Sequence, residues 1–149
     1  MQEHSMSHIE RTFIMIKPEG VRRRLTGEII QRFERRDFKL IALKQMMVSH
    51  LLAETHYHRH ANMPYYKDLV RLMVSGPVVA MAWEGDHAIK LCRQMTGSSN
   101  PLEALPGTIR GDFAGTALNS LIHVSDSPVT ADAELALWFP EGMPTLRNA

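Results

Sequence analysis

With one cysteine, Cys92, in 149 residues, the chain cannot form an internal disulfide, and a lone thiol fits a reducing compartment. It also lacks long apolar runs. The longest, Pro77 to Trp83, is too short to cross a bilayer, and the opening stretch MQEHSMSHIE has no apolar signal-peptide core. A cytoplasmic protein without a membrane span is expected. No internal repeat or low-complexity segment is visible, and neither charge sign dominates: 17 Lys and Arg stand against 16 Asp and Glu. The near balance conceals a split, with residues 1–74 at +5 and residues 75–149 at −4. The basic residues are largely Arg22 to Arg24 with Arg32, Arg35 and Arg36, a pattern of a solvated helix exterior. A basic footprint without a reading motif does not make a nucleic-acid partner. At 44% apolar and 22% charged, the composition excludes general disorder, and the length fits one domain that buries about two thirds of its unfolded surface.

Punctuation and periodicity divide the chain. Residues 1–9 show no period and read as a loose tail in which Met6 is a second possible start. Arg11 to Lys17 is a continuous run of strand-forming residues stopped by a turn at Pro18. After Gly27, Ile29, Ile30 and Phe33 recur at helical spacing opposite Gln31, Arg32, Glu34 and Arg35. Phe38 to Val48 predicts a second strand. Ser49 caps a helix over Leu51 to His58, and Pro64 opens another carrying Tyr65, Leu69, Val70 and Met73. Ser75-Gly76-Pro77 precedes a third strand, Val78 to Trp83, and Asp86 is the expected cap of a helix that aligns Ile89, Cys92 and Met95. Residues 96–117 hold many glycines, prolines and serines without a sustained period, and a loop of that length is usually functional. Leu121 to Val124 is a short fourth strand, and Pro128 begins a last helix ending near Trp138. This order predicts an α/β sandwich, with helices on a largely antiparallel sheet.

His123 closes the fourth strand. Alone it reads as a buried ring satisfied by a backbone carbonyl, but Glu134 lies on the edge of the inward stripe formed by Ala131, Leu135 and Trp138. A carboxylate bonded to one ring nitrogen fixes the tautomer and leaves the other nitrogen its lone pair, which is what a nucleophilic imidazole needs. Arg93, Ser99 and Arg110 flank or occupy the irregular loop and can converge on anionic oxygens, and Lys17 offers a compact positive charge at a strand end. Together with a histidine they point to phosphoryl transfer, where positioning and charge neutralisation supply most of the catalysis. His56, His58 and His60 suggest metal, and His56 with His60 would share a helix face, but no Glu or Cys completes a known ligand set. Arg110-Gly111-Asp112 matches an adhesion tripeptide by chance, and the ten methionines are mostly core filler.

Four segments in series, RTFIMIKPEGV at 11–21, SGPVVAMAWEG at 75–85, NPLEALPGTIRGDF at 100–113 and HVSDS at 123–127, resemble nucleoside diphosphate kinases. The resemblance covers about Glu10 to Phe139. It implies a ferredoxin-like fold, a four-stranded antiparallel sheet with helices packed on it, forming a single domain over residues 10–149. It further implies an enzyme that passes the terminal phosphate of a nucleoside triphosphate to a nucleoside diphosphate through a phosphohistidine, with ping-pong kinetics. By the same resemblance His123 is the nucleophile and Glu134 its orienting partner. Lys17 and Tyr57 lie near the transferred phosphate and the sugar end, Arg93, Ser99 and Arg110 hold the phosphate chain, and Tyr65 stacks on the base. Asp126 acts through water on a magnesium ion that the nucleotide carries, so no protein-built metal site is implied. A homo-oligomer, hexamer or tetramer, is implied too.

Ser99 stands where the family usually has threonine and Tyr65 where phenylalanine is usual, and two further departures weigh more. Ser120 stands where an asparagine usually binds the sugar, and Asn119 points to the opposite face if the strand is regular. Val124 stands where glycine is usual; a negative φ is predicted there. These two residues are the support for a rival reading, a nucleotide-sensing or scaffold protein that kept the fold and lost turnover. An RNA-binding ferredoxin-like module is a third, without the aromatic-rich strand motif that stacks bases.

Overall fold

The computed structural model describes residues 8–144. The expected tail falls mostly on residues 1–7, outside that range. Strand β1, Ile9–Ile16, begins two residues before the predicted run because Ile9 and Glu10 already pair with Asp86 and Gly85 of β3, Val78–Asp86. β2 is Lys39–Met46 and β4 is Ile122–Val124. The four strands form one sheet in the order β2-β3-β1-β4, every neighbouring pair antiparallel. This is the expected ferredoxin-like arrangement.

The two central strands are continuous apolar runs because both sheet faces are covered. Ile14, Ile16, Met81 and Trp83 pack one way, against Ile29 and Phe33 of α2 (Thr26–Arg35) and Ala88 and Cys92 of α5 (Ala88–Thr96). Phe13, Met15, Ala80 and Ala82 face the other, toward Ala53 of α3 (His50–His56), Val70 and Met73 of α4 (Tyr66–Met73) and Trp138 of α7 (Pro128–Trp138). Phe33 is fully buried 5.5 Å from the Trp83 ring, a burial that stabilises by about 1.5–3 kcal/mol. Ser49 and Ser127 cap α3 and α7, their side chains accepting from Leu52 N and Thr130 N at 3.1 Å, about 1 kcal/mol each. Among the described residues no helix is long and apolar enough to cross a membrane.

Three local expectations are corrected. The turn expected at Pro18 is a short helix, α1, Pro18–Arg22, since proline suits a first helical turn. Asp86 does not cap α5. It belongs to β3 and its carboxylate lies 3.0 Å from His87 Nδ1, while the N-cap is His87 in the left-handed region at φ 51°. Glu10 of β1 supplies the missing acceptor, taking the Ile89 N–H at 3.1 Å. The long loop is not wholly irregular either, because it contains α6, Ile109–Phe113, capped by the Thr108 hydroxyl, which accepts from Gly111 N at 3.0 Å.

Gly111 sits where a Cβ would run into the Leu105 carbonyl, so the loop closes only around glycine. Gly111→Ala is expected to lower stability by roughly 2–4 kcal/mol in a urea melt. Gly27→Ala, on an open helix position, should instead raise it by about 0.5–1 kcal/mol. Equal effects at the two sites would refute this account of the loop.

Candidate active site

Antiparallel pairing sets His123 of β4 opposite Met15, and α7 returns along the sheet so that Glu134 meets it. His123 Nε2 lies 2.9 Å from both Glu134 oxygens. A carboxylate only accepts, so Nε2 carries the proton and Nδ1 keeps its lone pair. Among the described residues Nδ1 has no hydrogen-bond partner, and His123 lines a cavity of about 680 Å³. Glu134 is buried, and Ser125 donates to its Oε1 at 2.6 Å, so the carboxylate is held by two donors. Ser125 itself is fixed by its backbone N–H to the Phe13 carbonyl at 3.1 Å.

Behind this pair lies His56, whose ring meets that of His123 edge-on at 4.4 Å. Trp138 Nε1 donates to His56 Nδ1 at 3.1 Å, so His56 is neutral with its proton on Nε2. Burial, then the positive groups around it, hold His56 well below the usual imidazole value. Its Nδ1 is 4.0 Å from Glu134 and already occupied, which leaves Glu134 to His123 and Ser125. His56, His123 and Glu134 bring donor atoms within 4.8 Å of one another, a grouping the sequence motif did not suggest. His58 and His60 take no part: His58 Nδ1 is 2.9 Å from the Thr55 carbonyl and His60 Nδ1 is 3.0 Å from the Tyr65 hydroxyl.

Burial lowers the pKa of His123, against the opposing pull of its hydrogen bond to Glu134. The ring is therefore neutral at neutral pH, with its one proton on Nε2. Lys17 is pushed down to about 8 by burial and by Arg110, and donates to Ser120 Oγ at 3.2 Å. Tyr57 is pushed up by burial and by the Glu134 charge, so it remains a phenol that can donate. Arg110 is lowered to about 10 by burial and by Arg93, and stays charged. It donates from Nε to the Ser120 carbonyl at 3.2 Å, from Nη1 to Gly97 at 3.0 Å and from Nη2 to Ile122 at 2.6 Å.

Each predicted cavity residue is brought to one place. Lys17, Tyr57, Tyr65 and Arg93 line the cavity with Ser99, Arg110, Ser120 and His123, as does Asp126, and Glu134 stands behind the imidazole. Val124 is not among the described non-glycine residues with positive φ, in line with the expectation for it. The strained residue is Leu121, at φ 70°, whose carbonyl accepts from Lys17 N at 2.8 Å. The strand is thus irregular just after Ser120, and Ser120 is buried against Lys17 while Asn119 lines a small adjoining cavity. Sequence reasoning missed Ser125, His56 and Arg59. Ser125 lies between β4 and α7 where no period applies, His56 carried no signal beyond its own helix, and Arg59 was one cation in a polar stretch.

Comparison with known proteins agrees with this geometry. The family model for nucleoside diphosphate kinase matches residues 10–143. A nucleoside diphosphate kinase of Carboxydothermus hydrogenoformans is 54% identical over 133 residues, 89% of each chain, and one of Picosynechococcus is equally similar over the same share. Among solved structures, the nucleoside diphosphate kinase of Halobacterium salinarum in complex with CDP superposes with a TM-score of 0.90 at 40% identity, covering 95% of both chains. That of Encephalitozoon cuniculi, without ligand, gives 0.89 at 41% identity, covering 92% of this chain and 93% of that one. With a matching model over nine tenths of its length and relatives sharing more than half of the aligned residues, the chain belongs to the nucleoside diphosphate kinase family.

Proposed function

We propose that this enzyme, a nucleoside diphosphate kinase and hence a phosphotransferase, carries the phosphoryl group on His123 Nδ1. The supporting observation is the 2.9 Å contact of Nε2 with Glu134, which leaves the other ring nitrogen a lone pair at the cavity wall. The lone pair attacks the terminal phosphorus of a nucleoside triphosphate, the bond from that phosphorus to the bridging oxygen breaks, and the diphosphate leaves. The ring then bears positive charge, stabilised by the carboxylate on its Nε2–H. A second nucleoside diphosphate attacks the phosphohistidine through its terminal oxygen and restores the neutral ring. No base is required, since a neutral imidazole attacks directly, and the shared intermediate makes the kinetics ping-pong.

Lys17, Arg93 and Arg110 oppose the charge of the phosphate chain, and the lowered pKa of Lys17 rises again when a polyanion arrives beside it. Ser99 and the Tyr57 hydroxyl donate along the chain. Tyr65, held by His60, offers its face to a base at the cavity mouth without reading its edge. Ser120 supplies one hydroxyl for the sugar. Asp126 faces the magnesium ion that accompanies the nucleotide; burial raises its pKa, but the Thr130 hydrogen bond and the charges of Arg59 and Arg93 outweigh this and keep it ionised. The enzyme works in the cytoplasm, as its one buried thiol suggests, and as a homo-oligomer, a hexamer or tetramer.

Mixing the protein with magnesium and labelled ATP should yield a mass gain of about 80 Da as an acid-labile, alkali-stable phosphate. ADP or GDP should discharge it, and His123→Ala should not acquire it. Labelling without discharge would favour a nucleotide sensor, and no labelling of folded protein would refute the assignment.

The pH dependence follows from the same ring. Its pKa is lower in the folded protein than the ordinary value near 6.5, so the rate of phosphohistidine formation should be level from about pH 8 to 6.5 and decline below that. His56 and His123 are both depressed, so between their folded values and about 6.5 the unfolded chain binds more protons. Stability is therefore full above that pH and falls as the pH drops through the window, by up to about 1.4 kcal/mol per unit per ring. A rate that increases on acidification would contradict the neutral nucleophile.

A further inference from the structure

The cavity holds three cations already given roles, and they are unequally free. Arg110 spends three of its five N–H donors on backbone carbonyls, so its position is set by the loop and β4 rather than by a ligand. Lys17 is buried and bonded to Ser120. Among the described residues Arg93 makes one long hydrogen bond, 3.5 Å to the Val124 carbonyl. A nucleoside triphosphate brings several negative charges to this wall, more than one movable guanidinium matches.

A fourth cation lines the same cavity. Arg59 sits in the short 3-10 turn His58–His60, on the helical wall opposite the β4–α7 loop. Its Nη2 lies 3.8 Å from Asp126 Oδ2, beyond hydrogen-bond distance, and among the described residues it makes no hydrogen bond. Both side chains are about half exposed, at 54% and 44%, so the pair is screened and readily exchanged. A phosphate offers a guanidinium a paired, charge-assisted contact that this long ion pair does not. We propose that Arg59 is a phosphate-positioning residue, which exchanges its long contact with Asp126 for the phosphate chain when nucleotide binds. The same exchange releases Asp126 from its cationic neighbour at the moment a cation-bearing nucleotide enters. This inference rests on the reading of the cavity as the nucleotide site.

Steady-state kinetics of the full chain with magnesium and ATP test it. Arg59→Ala should raise the KM for the triphosphate about tenfold, with a smaller loss in kcat, and should weaken the salt dependence of KM because one ionic contact is gone. Arg59→Lys, which keeps the charge but not the paired fork, should recover part of the affinity, whereas Arg59→Gln should behave as the alanine variant. A KM for Arg59→Ala within about twofold of wild type at low salt, or equal losses in the lysine and alanine variants, would overturn the proposal. A wild-type chain that gains no phosphohistidine sinks the reading of the site and this inference together. Normal turnover in wild type beside an indifferent Arg59→Ala sinks the inference alone.

Discussion

The hydrogen bond between His123 Nε2 and Glu134 is the contact on which the site depends, and much of the fold serves to hold it. A buried carboxylate is costly unless hydrogen-bonded, and here it is held by His123 and Ser125. Ser125 is in turn tied to β1 through Phe13, and Glu134 is set in place by a helix whose first turn is fixed by Pro128 and the Ser127 cap. The Trp138–His56 hydrogen bond completes the arrangement from behind. By occupying His56 Nδ1 it removes the one nearby imidazole that could draw the carboxylate away. Glu134 thereby serves one ring, and that ring keeps one tautomer.

Charge in the cavity is arranged by mobility as much as by sign. Arg110 is a structural brace that also carries charge: its three carbonyl contacts join the 96–117 loop to β4, so loop closure and site polarity are the same event. Lys17 is set by the strained Leu121 carbonyl on its backbone and by Ser120 on its side chain. Strain at Leu121 costs of order 1–2 kcal/mol, and full burial of the leucine side chain offsets an amount of that size. Preset donors of this kind need little reorganisation when charge develops, which is where electrostatic catalysis gains most.

Much of this was legible in the residues. β1 and β3 read as continuous apolar runs because both faces are covered, and α2 showed its stripe because only one face is. Ser49 and Pro128 signalled their helices by local chemistry, and Glu134 was placed by the three-and-four spacing of α7. What escaped depends on contacts distant in sequence. The cap of α5 comes from Glu10, 79 residues away, so no local rule selects it over Asp86. Helix α6 spans five residues, too few to show a period. Ser125 and His56 gain meaning only from their partners, and Arg59 from a wall that folding places opposite. Positive φ fell on Leu121, where a buried leucine gives no sign of it, while Val124 pairs with Ile14 as an ordinary strand residue.

Ser120 shows how the scaffold separates structure from specificity. The structural work at this position is done by its backbone, whose carbonyl accepts from both Arg110 Nε and Ile122 N, so the brace does not depend on the side chain. Among the described residues the hydroxyl's one hydrogen-bond partner is the Lys17 ammonium, at 3.2 Å, within the cavity. A change of side chain here alters the polar group offered beside Lys17 and leaves the tie between loop and strand intact. His123, Glu134 and Arg110 are held by contacts that do not involve the Ser120 hydroxyl, whereas Lys17 donates to it. The serine at this position therefore bears on the poise of one lysine and on the polar group offered in the cavity, and the His123–Glu134 pair stands apart from both.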